Sequence, residues 1–244
     1  MNQNSEPSSL RLIFAMTLAG LLSGIAIAGI YDITLPRITA NKAAALQTAV
    51  FKVLPGTATF QAIGYRDGKL FVQEDPASDA DFVYAGFDER DRLVGYAIPG
   101  EGPGFQDTIK LLYGYRPDEG RLTGMEVLES RETPGLGDKI YKDPDFVASF
   151  RRLRPDPAIV AVKKGKRSAP NEIDAITGAT ISSVAIAKII NKTHARWLPR
   201  LMEPADGHAA YQVYREFKET HPEPADDASP GPGTESGSVP LDIP

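Results

Sequence analysis

At 244 residues the chain has room for one sizeable domain with appendages or for two small domains. A formal net charge of −5 and a pI near 5.3 exclude the clustered basic surface that nucleic-acid binding requires, and the one basic run, KKGKR at 163–167, reads as a solvated turn. Cysteine is absent, which removes thiol nucleophiles, disulfide frameworks and iron–sulfur ligation, and His194, His208 and His221 lack metal-ligand spacing, so no metal site is expected.

Residues 1–11 read as a short flank. The stretch LIFAMTLAGLLSGIAIAGI, 12–30, carries no charge, and as a helix it measures about 28 Å, close to the hydrocarbon thickness of a bilayer. Residues 12–31 are therefore expected to form a transmembrane helix anchored in membrane lipid. A cleaved signal peptide is the alternative, with Ala26–Ala28 as the small-residue site, but the apolar run continues beyond it. Arg11 before the span and Arg37 and Lys42 after it leave orientation unsettled by charge. Residues 32–60 form an Ala-rich helical connector, helical over 38–53 and stopped by LPG at 54–56. A break from the membrane helix is expected at Pro36, because proline removes a donor and crowds the preceding turn.

A mixed domain follows over 61–205. DFVYAGF and RLVGYAI flank the turn DERD as one hairpin. TIKLLYGY and RLTGMEVLE flank RPDEG as a second, with Pro117 and Gly120 at turn positions. PAIVAVKKG is a further strand. Tyr113 and Tyr115 alternate onto one sheet face. Helices are expected at DPDFVASFRRL, where Asp143 caps and Pro144 opens the first turn, and at ISSVAIAKIINKTHARWL, with Trp197 in the core. AAYQVYREFKE, within 206–221, is an amphipathic helix that docks either on the domain or on a partner. Residues 222–244, rich in Pro, Gly, Ser and acid, are expected to be disordered. The fold class is α+β: one membrane helix, then a mostly antiparallel sheet domain with helices.

The segment DAITGATISS, 174–183, raises the functional question. Thr177, Gly178, Ala179 and Thr180 precede the apolar run Ile181, Val184, Ala185, Ile189, which places a helix start, with its free N–H groups and positive dipole end, at this point. Such an end accepts a phosphate. A threonine there also serves simply as an N-cap. Residue types alone leave both readings open.

The pattern D-x-x-S/T-G-A-T, met by Asp174, Thr177, Gly178, Ala179 and Thr180, resembles the flavinylation motif of the covalent FMN-binding domain family. The resemblance implies an FMN joined through its phosphate to Thr180 by a separate flavin transferase that draws on FAD, with Ser183 as a following small polar residue. ESRETPGLGDKI, 129–140, resembles the E-T-P-G-L-G loop of the same family's ion-pump subunits. It implies that Glu132, Thr133, Gly135, Leu136 and Gly137 line the flavin pocket, with Pro134 stiffening the entry and the glycines permitting close approach. The order of features resembles the G subunits of Rnf-type ion-translocating ferredoxin:NAD oxidoreductase complexes. That likeness implies a redox subunit with no catalytic residue of its own, an extracytoplasmic domain on the inner membrane, and partner subunits that exchange electrons with it. It also implies that Glu132 biases the flavin potential. Phe105 in GEGPGFQDTI departs from the pattern. Two rivals remain: a C subunit of the Na+-translocating NADH:quinone reductase type, and a cofactor-free tethered scaffold in which Thr180 is only a cap.

Overall fold

The computed structural model describes residues 8–73, 81–202 and 209–220; the flank up to residue 7, the tail expected from 222 onward, and His208 and His221 lie outside them. The chain opens with α1, Ser9–Val53, a single helix 45 residues long that is apolar enough to cross a membrane near its N-terminal end. Its residues 9–45 are exposed, and its last turns are buried through Ala49, Val50 and Val53. The break expected at Pro36 does not occur. Proline there forfeits one backbone bond, which a long helix tolerates, and the helix continues through it without a second element. The helical part of the connector ends at Val53, six residues before the first strand begins at Thr59.

The strands are β1 (Thr59–Arg66), β2 (Lys69–Val72), β3 (Phe82–Phe87), β4 (Leu93–Pro103), β5 (Thr108–Arg116) and β6 (Arg121–Glu129). They build one antiparallel sheet in the order β2-β1-β3-β4-β5-β6. The β3–β4 and β5–β6 hairpins fall where the sequence places them, and the Gly120 N–H bonds to the Pro117 carbonyl at 3.3 Å to close the second turn. The β1–β2 hairpin is an addition. Its turn is Asp67-Gly68, both at positive φ (51° and 81°), the type I′ geometry that Asp-Gly favours.

Period-two alternation sorts the sheet into two faces. Leu111, Tyr113 and Tyr115 join Val83, Ala85, Phe87, Tyr96 and Ile98 in the main core, while Leu112, Tyr84 and Ala97 turn to the other side and meet Ala49, Val50, Val53 and Leu54. The end of α1 therefore seals one face. Its closest approach is at Gly114, where any Cβ would collide with the Val53 carbonyl.

The other face is covered by α4 (Thr180–Leu201), which buries Ile186, Ile190 and Trp197. Beside it lie α2 (Lys139–Lys142), α3 (Pro144–Ser149) and a two-stranded sheet of β7 (Val160–Lys163) and β8 (Glu172–Ala175). Asp143 caps α3 by accepting from the Asp145 and Phe146 amides, as its position before Pro144 predicts. The β7–β8 pair is parallel, unlike the main sheet, with Val162 opposite Asp174. The amphipathic segment forms α5 (Ala209–Thr220) and docks on the domain itself: Tyr214 stacks on Phe87 with ring centroids 3.9 Å apart, and Lys218 pairs with Asp91 at 2.6 Å.

Candidate functional site

Two short loops, forty residues apart in sequence, adopt the same turn and face each other. In Thr133-Pro134-Gly135-Leu136 the Leu136 N–H bonds to the Thr133 carbonyl at 3.1 Å and Gly135 has φ +78°. In Ile176-Thr177-Gly178-Ala179 the Ala179 N–H bonds to the Ile176 carbonyl at 2.9 Å and Gly178 has φ +86°. Positive φ at the third position alone is the signature of a type II turn, which glycine adopts without Cβ strain. The Leu136 side chain closes on the second turn: its Cδ2 lies 3.6 Å from the place a Cβ on Gly178 would take.

The second turn delivers the chain into α4. Ala179 is the N-cap residue and makes no side-chain capping bond; Thr180 is the first helical residue. The threonine cap is thus absent at this helix. Thr180 is exposed, and its Oγ1 lies 3.5 Å from the Ile176 carbonyl, at the outer limit of a hydrogen bond. Local bonding falls instead to Ser183, wholly buried, whose Oγ accepts from the Ile176 N–H at 3.1 Å and donates to the Ala179 carbonyl at 2.9 Å. The first intrahelical bond is Ser183 N–H to the Ala179 carbonyl, so the N–H groups of Thr180, Ile181 and Ser182 open the helix end. Asp174 lies in β8, ahead of the turn. Its Oδ1 accepts from the Gly165 N–H at 2.7 Å and pins the turn after β7 against β8.

Glu132 lies beneath the surface. It is only 5 % exposed, and its carboxylate is engaged by three donors: the amides of Phe105 and Gln106 on Oε1, both at 2.9 Å, and the Ser182 hydroxyl on Oε2 at 2.5 Å. Burial raises its pKa, but the Ser182 hydroxyl and the amides of the 105–107 turn outweigh burial and hold the carboxyl below its ordinary value. Glu132 therefore joins three segments: its own loop, the β4–β5 tip and the first turn of α4. Thr133 adds to the first link by donating to Gln106 Oε1 at 2.8 Å. Gly137 leaves room for the carboxylate, since a Cβ there would lie 2.5 Å from Glu132 Oε2 and 3.2 Å from Ser182 Oγ.

Sequence reasoning missed Ser182, and of the 104–107 tip it singled out Phe105 alone, as a departure from the family pattern. Nothing in their residue types marks them; only the register of β4 on β5 and the pitch of α4 bring them to Glu132. A cavity of about 570 Å³ lies between β4, β5 and α4, lined by Lys192 and Arg196 at one end. Its Lys192 end is roughly 18 Å along the helix from Thr180, and its other end reaches Pro103 and Thr108, which flank the 104–107 tip.

The site fits a phosphate ester at Thr180. An exposed hydroxyl stands at the helix start, a glycine turn leaves the approach open, three N–H groups and the positive helix end lie beside it, and Leu136 offers an apolar surface next to it.

Residues 104–195 match the family model of the FMN-binding domain. The chain is 31% identical over 173 residues to the G subunit of the proton-translocating ferredoxin:NAD(+) oxidoreductase complex of Clostridium ljungdahlii, covering 71% of this chain and 83% of that one. It is 32% identical to the G subunit of the Na(+)-translocating ferredoxin:NAD(+) oxidoreductase complex of Acetobacterium woodii, covering 57% and 68%. In fold it is similar to the crystal structure of Shewanella oneidensis NqrC, with a TM-score of 0.52 at 20% identity, over 74% of this chain and 99% of that one. The chain belongs to the family of G subunits of ion-translocating oxidoreductase complexes.

Proposed function

We propose that this protein is the membrane-anchored electron-transfer subunit of an Rnf-type ion-translocating ferredoxin:NAD oxidoreductase, carrying FMN covalently on Thr180. The single observation that carries the reading is the state of the Thr180 hydroxyl: it stands first in α4, exposed, capping no helix N–H, while Ser183 makes the side-chain bonds to the turn before it. A threonine kept for structure would be expected to accept a helix N–H.

Attachment is the work of a separate flavin transferase, since unactivated threonine is a weak nucleophile and no His or Cys stands near it in sequence. The Thr180 oxygen bonds to the FMN phosphorus of FAD, the diphosphate bridge breaks, AMP leaves, and the hydroxyl proton passes to the transferase. The open N–H groups of Thr180, Ile181 and Ser182 then face the phosphoester charge, and Gly178 keeps the approach clear. Bound flavin supplies one- and two-electron redox chemistry; the protein supplies position, an apolar contact at Leu136, and the buried charge of Glu132. The domain lies on the extracytoplasmic side, where a covalent tether prevents loss of the cofactor. Partners are the other subunits of the complex, the transferase and the lipid around α1.

The test is direct. Full-length protein coexpressed with a flavin transferase, denatured and resolved on a gel, should fluoresce under ultraviolet light. The peptide containing residue 180 should gain the mass of FMN less one water. Thr180→Ala should lose both signals. Unmodified wild-type peptide from that coexpression would overturn the reading.

A further inference from the structure

We infer that the basic turn at 163–167 is the surface that receives the flavin transferase, by attracting an acidic rim on that enzyme and the diphosphate of the FAD it carries. The inference rests on the covalent-FMN reading above and adds a recognition element that lies outside the attachment motif.

Two independent contacts put this turn beside Thr180. In the parallel pair, Lys163 stands opposite Ala175, the last residue of β8, one strand spacing of about 4.8 Å away. β8 leads through residues 176–179 to Thr180. Separately, the Asn191 side chain brackets Ile159, accepting from its N–H and donating to its carbonyl, both at 2.8 Å. α4 therefore folds back along β7. From Asn191 to Thr180 the helix covers about 16 Å, and from Ile159 to Lys163 the strand covers about 13 Å toward the same end. The five residues from Ala175 to Thr180 span at most about 17 Å and are shortened by their turn, so Lys163 and Thr180 lie within about 15 Å of each other. Asp174 and the turn's own bond hold this placement: Gly165 N–H donates to Asp174 Oδ1 at 2.7 Å, and Lys166 N–H to the Lys163 carbonyl at 2.9 Å.

The turn carries charge that the fold does not use. Lys163, Lys164, Lys166 and Arg167 are exposed, and no ion pair among the described residues includes them. The carboxylates beside them are taken by backbone: Asp174 by Gly165, and Glu172 by the amides of Ser168 and Ala169 at 2.6 and 3.0 Å, with Arg167 acting on Glu172 through space. α4 adds the exposed Lys188 and Lys192 and has no acidic residue from Thr180 to Leu201. The whole chain carries −5, so this end is a local reversal of sign. A specific protein interface covers about 800 Å² on each partner, a disc of about 16 Å radius. An enzyme that reaches the exposed Thr180 hydroxyl therefore covers the basic turn too. Complementary charge steers such an encounter to this end and away from the acidic remainder of the domain. An anionic bilayer would be drawn by the same lysines, but the ester forms only if a protein binds at this hydroxyl.

The experiment uses the full-length chain in detergent, expressed without transferase and then mixed with FAD and the purified cognate transferase. In-gel fluorescence gives the initial rate of flavin attachment against chain concentration, which separates kcat from KM. Lys164→Glu and Lys166→Glu should each lower kcat/KM several-fold at about 0.05 M salt, mainly through KM. The deficit should shrink to within about twofold at about 0.5 M, where charges are screened beyond about 4 Å. Lys166→Arg should match wild type. Arg90→Glu, the same charge change in the β3–β4 turn at the far end of the sheet, should also match it. Unchanged kcat/KM in both Glu variants, a deficit that persists at high salt, or an equal deficit in Arg90→Glu would each overturn the docking. So would Lys166-dependent sedimentation with phosphatidylglycerol vesicles alongside unchanged flavinylation, which assigns the turn to lipid. Wild-type chain that gains no flavin sinks the covalent reading, whereas flavinylation indifferent to these charges sinks the docking alone.

Discussion

The Glu132 carboxylate and the Ser182 hydroxyl meet at 2.5 Å across 50 residues of sequence, and this contact sets the first turn of α4 against the Thr-Pro-Gly-Leu loop. Replacing Glu132 should therefore cost fold stability as well as alter the site. Glu132→Ala leaves the amides of Phe105 and Gln106 and the Ser182 hydroxyl without their acceptor, an expected loss of about 2–4 kcal/mol. In Glu132→Gln the amide oxygen still meets the two N–H groups and Ser182 reorients to accept, so the loss falls to about 1 kcal/mol. Denaturant titration of both variants checks the ranking. Removing the negative charge should also move the flavin midpoint upward, and an unchanged potential in Glu132→Gln would take Glu132 out of the electrostatic account.

Glycine substitutions separate two kinds of constraint. Gly137→Ala drives a methyl to 2.5 Å from Glu132 Oε2 and should destabilise by about 1–3 kcal/mol. Gly178→Ala meets only Leu136 at 3.6 Å but must hold φ +86°, a backbone cost of about 1–2 kcal/mol. Flavin incorporation should fall further for Gly178→Ala than for Gly137→Ala at matched stability, because the first lies in the turn that presents Thr180.

Ser183 and Thr180 should behave as opposites. Ser183→Ala strands the buried Ile176 N–H and is expected to lower stability by about 1–3 kcal/mol. Thr180→Ala removes an exposed hydroxyl and should change stability by less than about 0.5 kcal/mol while abolishing flavin attachment. Thermal melts and in-gel fluorescence together check the pair; a large destabilisation by Thr180→Ala would mean that its hydroxyl is structural.

Acid sensitivity should have two components. His194 is buried against Tyr115, with ring centroids 4.7 Å apart, and burial lowers its pKa from 6.5 to about 4, with Asp156 opposing weakly. The unfolded chain takes up a proton as pH falls through 6.5 and the folded chain does not until about 4, so stability drops across that window by roughly 2–3 kcal/mol. Glu132, held below its ordinary value, contributes stability that is present above the ordinary carboxylate range and lost as pH falls through the lower folded value. His194→Phe should flatten the decline between pH 6.5 and 4 and leave the lower limb. Stability curves at stepped pH would show either outcome.

Removing the stacking at α5 gives the last test. Tyr214→Ala uncovers Phe87, which is fully buried in the intact chain, and should destabilise by about 2–4 kcal/mol. A change below about 0.5 kcal/mol would mean that α5 contributes little to the domain.

The order of residues by itself determined the apolar span, both hairpins that turn at DERD and RPDEG, and the Asp143–Pro144 helix start, because each depends on neighbours within a few positions. It also carried the resemblance on which the proposed attachment at Thr180 rests, through a motif of adjacent residues. The β1–β2 hairpin was legible in Asp67-Gly68 but masked by weak alternation in TFQAIGYR. Tertiary structure alone decided that Pro36 leaves α1 intact, that Ser183 rather than a threonine braces the turn before α4, and that Glu132 belongs to Ser182, Phe105 and Gln106. Those outcomes turn on which segments meet across the sheet and on which buried polar group needs a partner. Local preference cannot fix such pairings, because the cost of an unsatisfied buried carboxylate or amide appears only once the segments have packed.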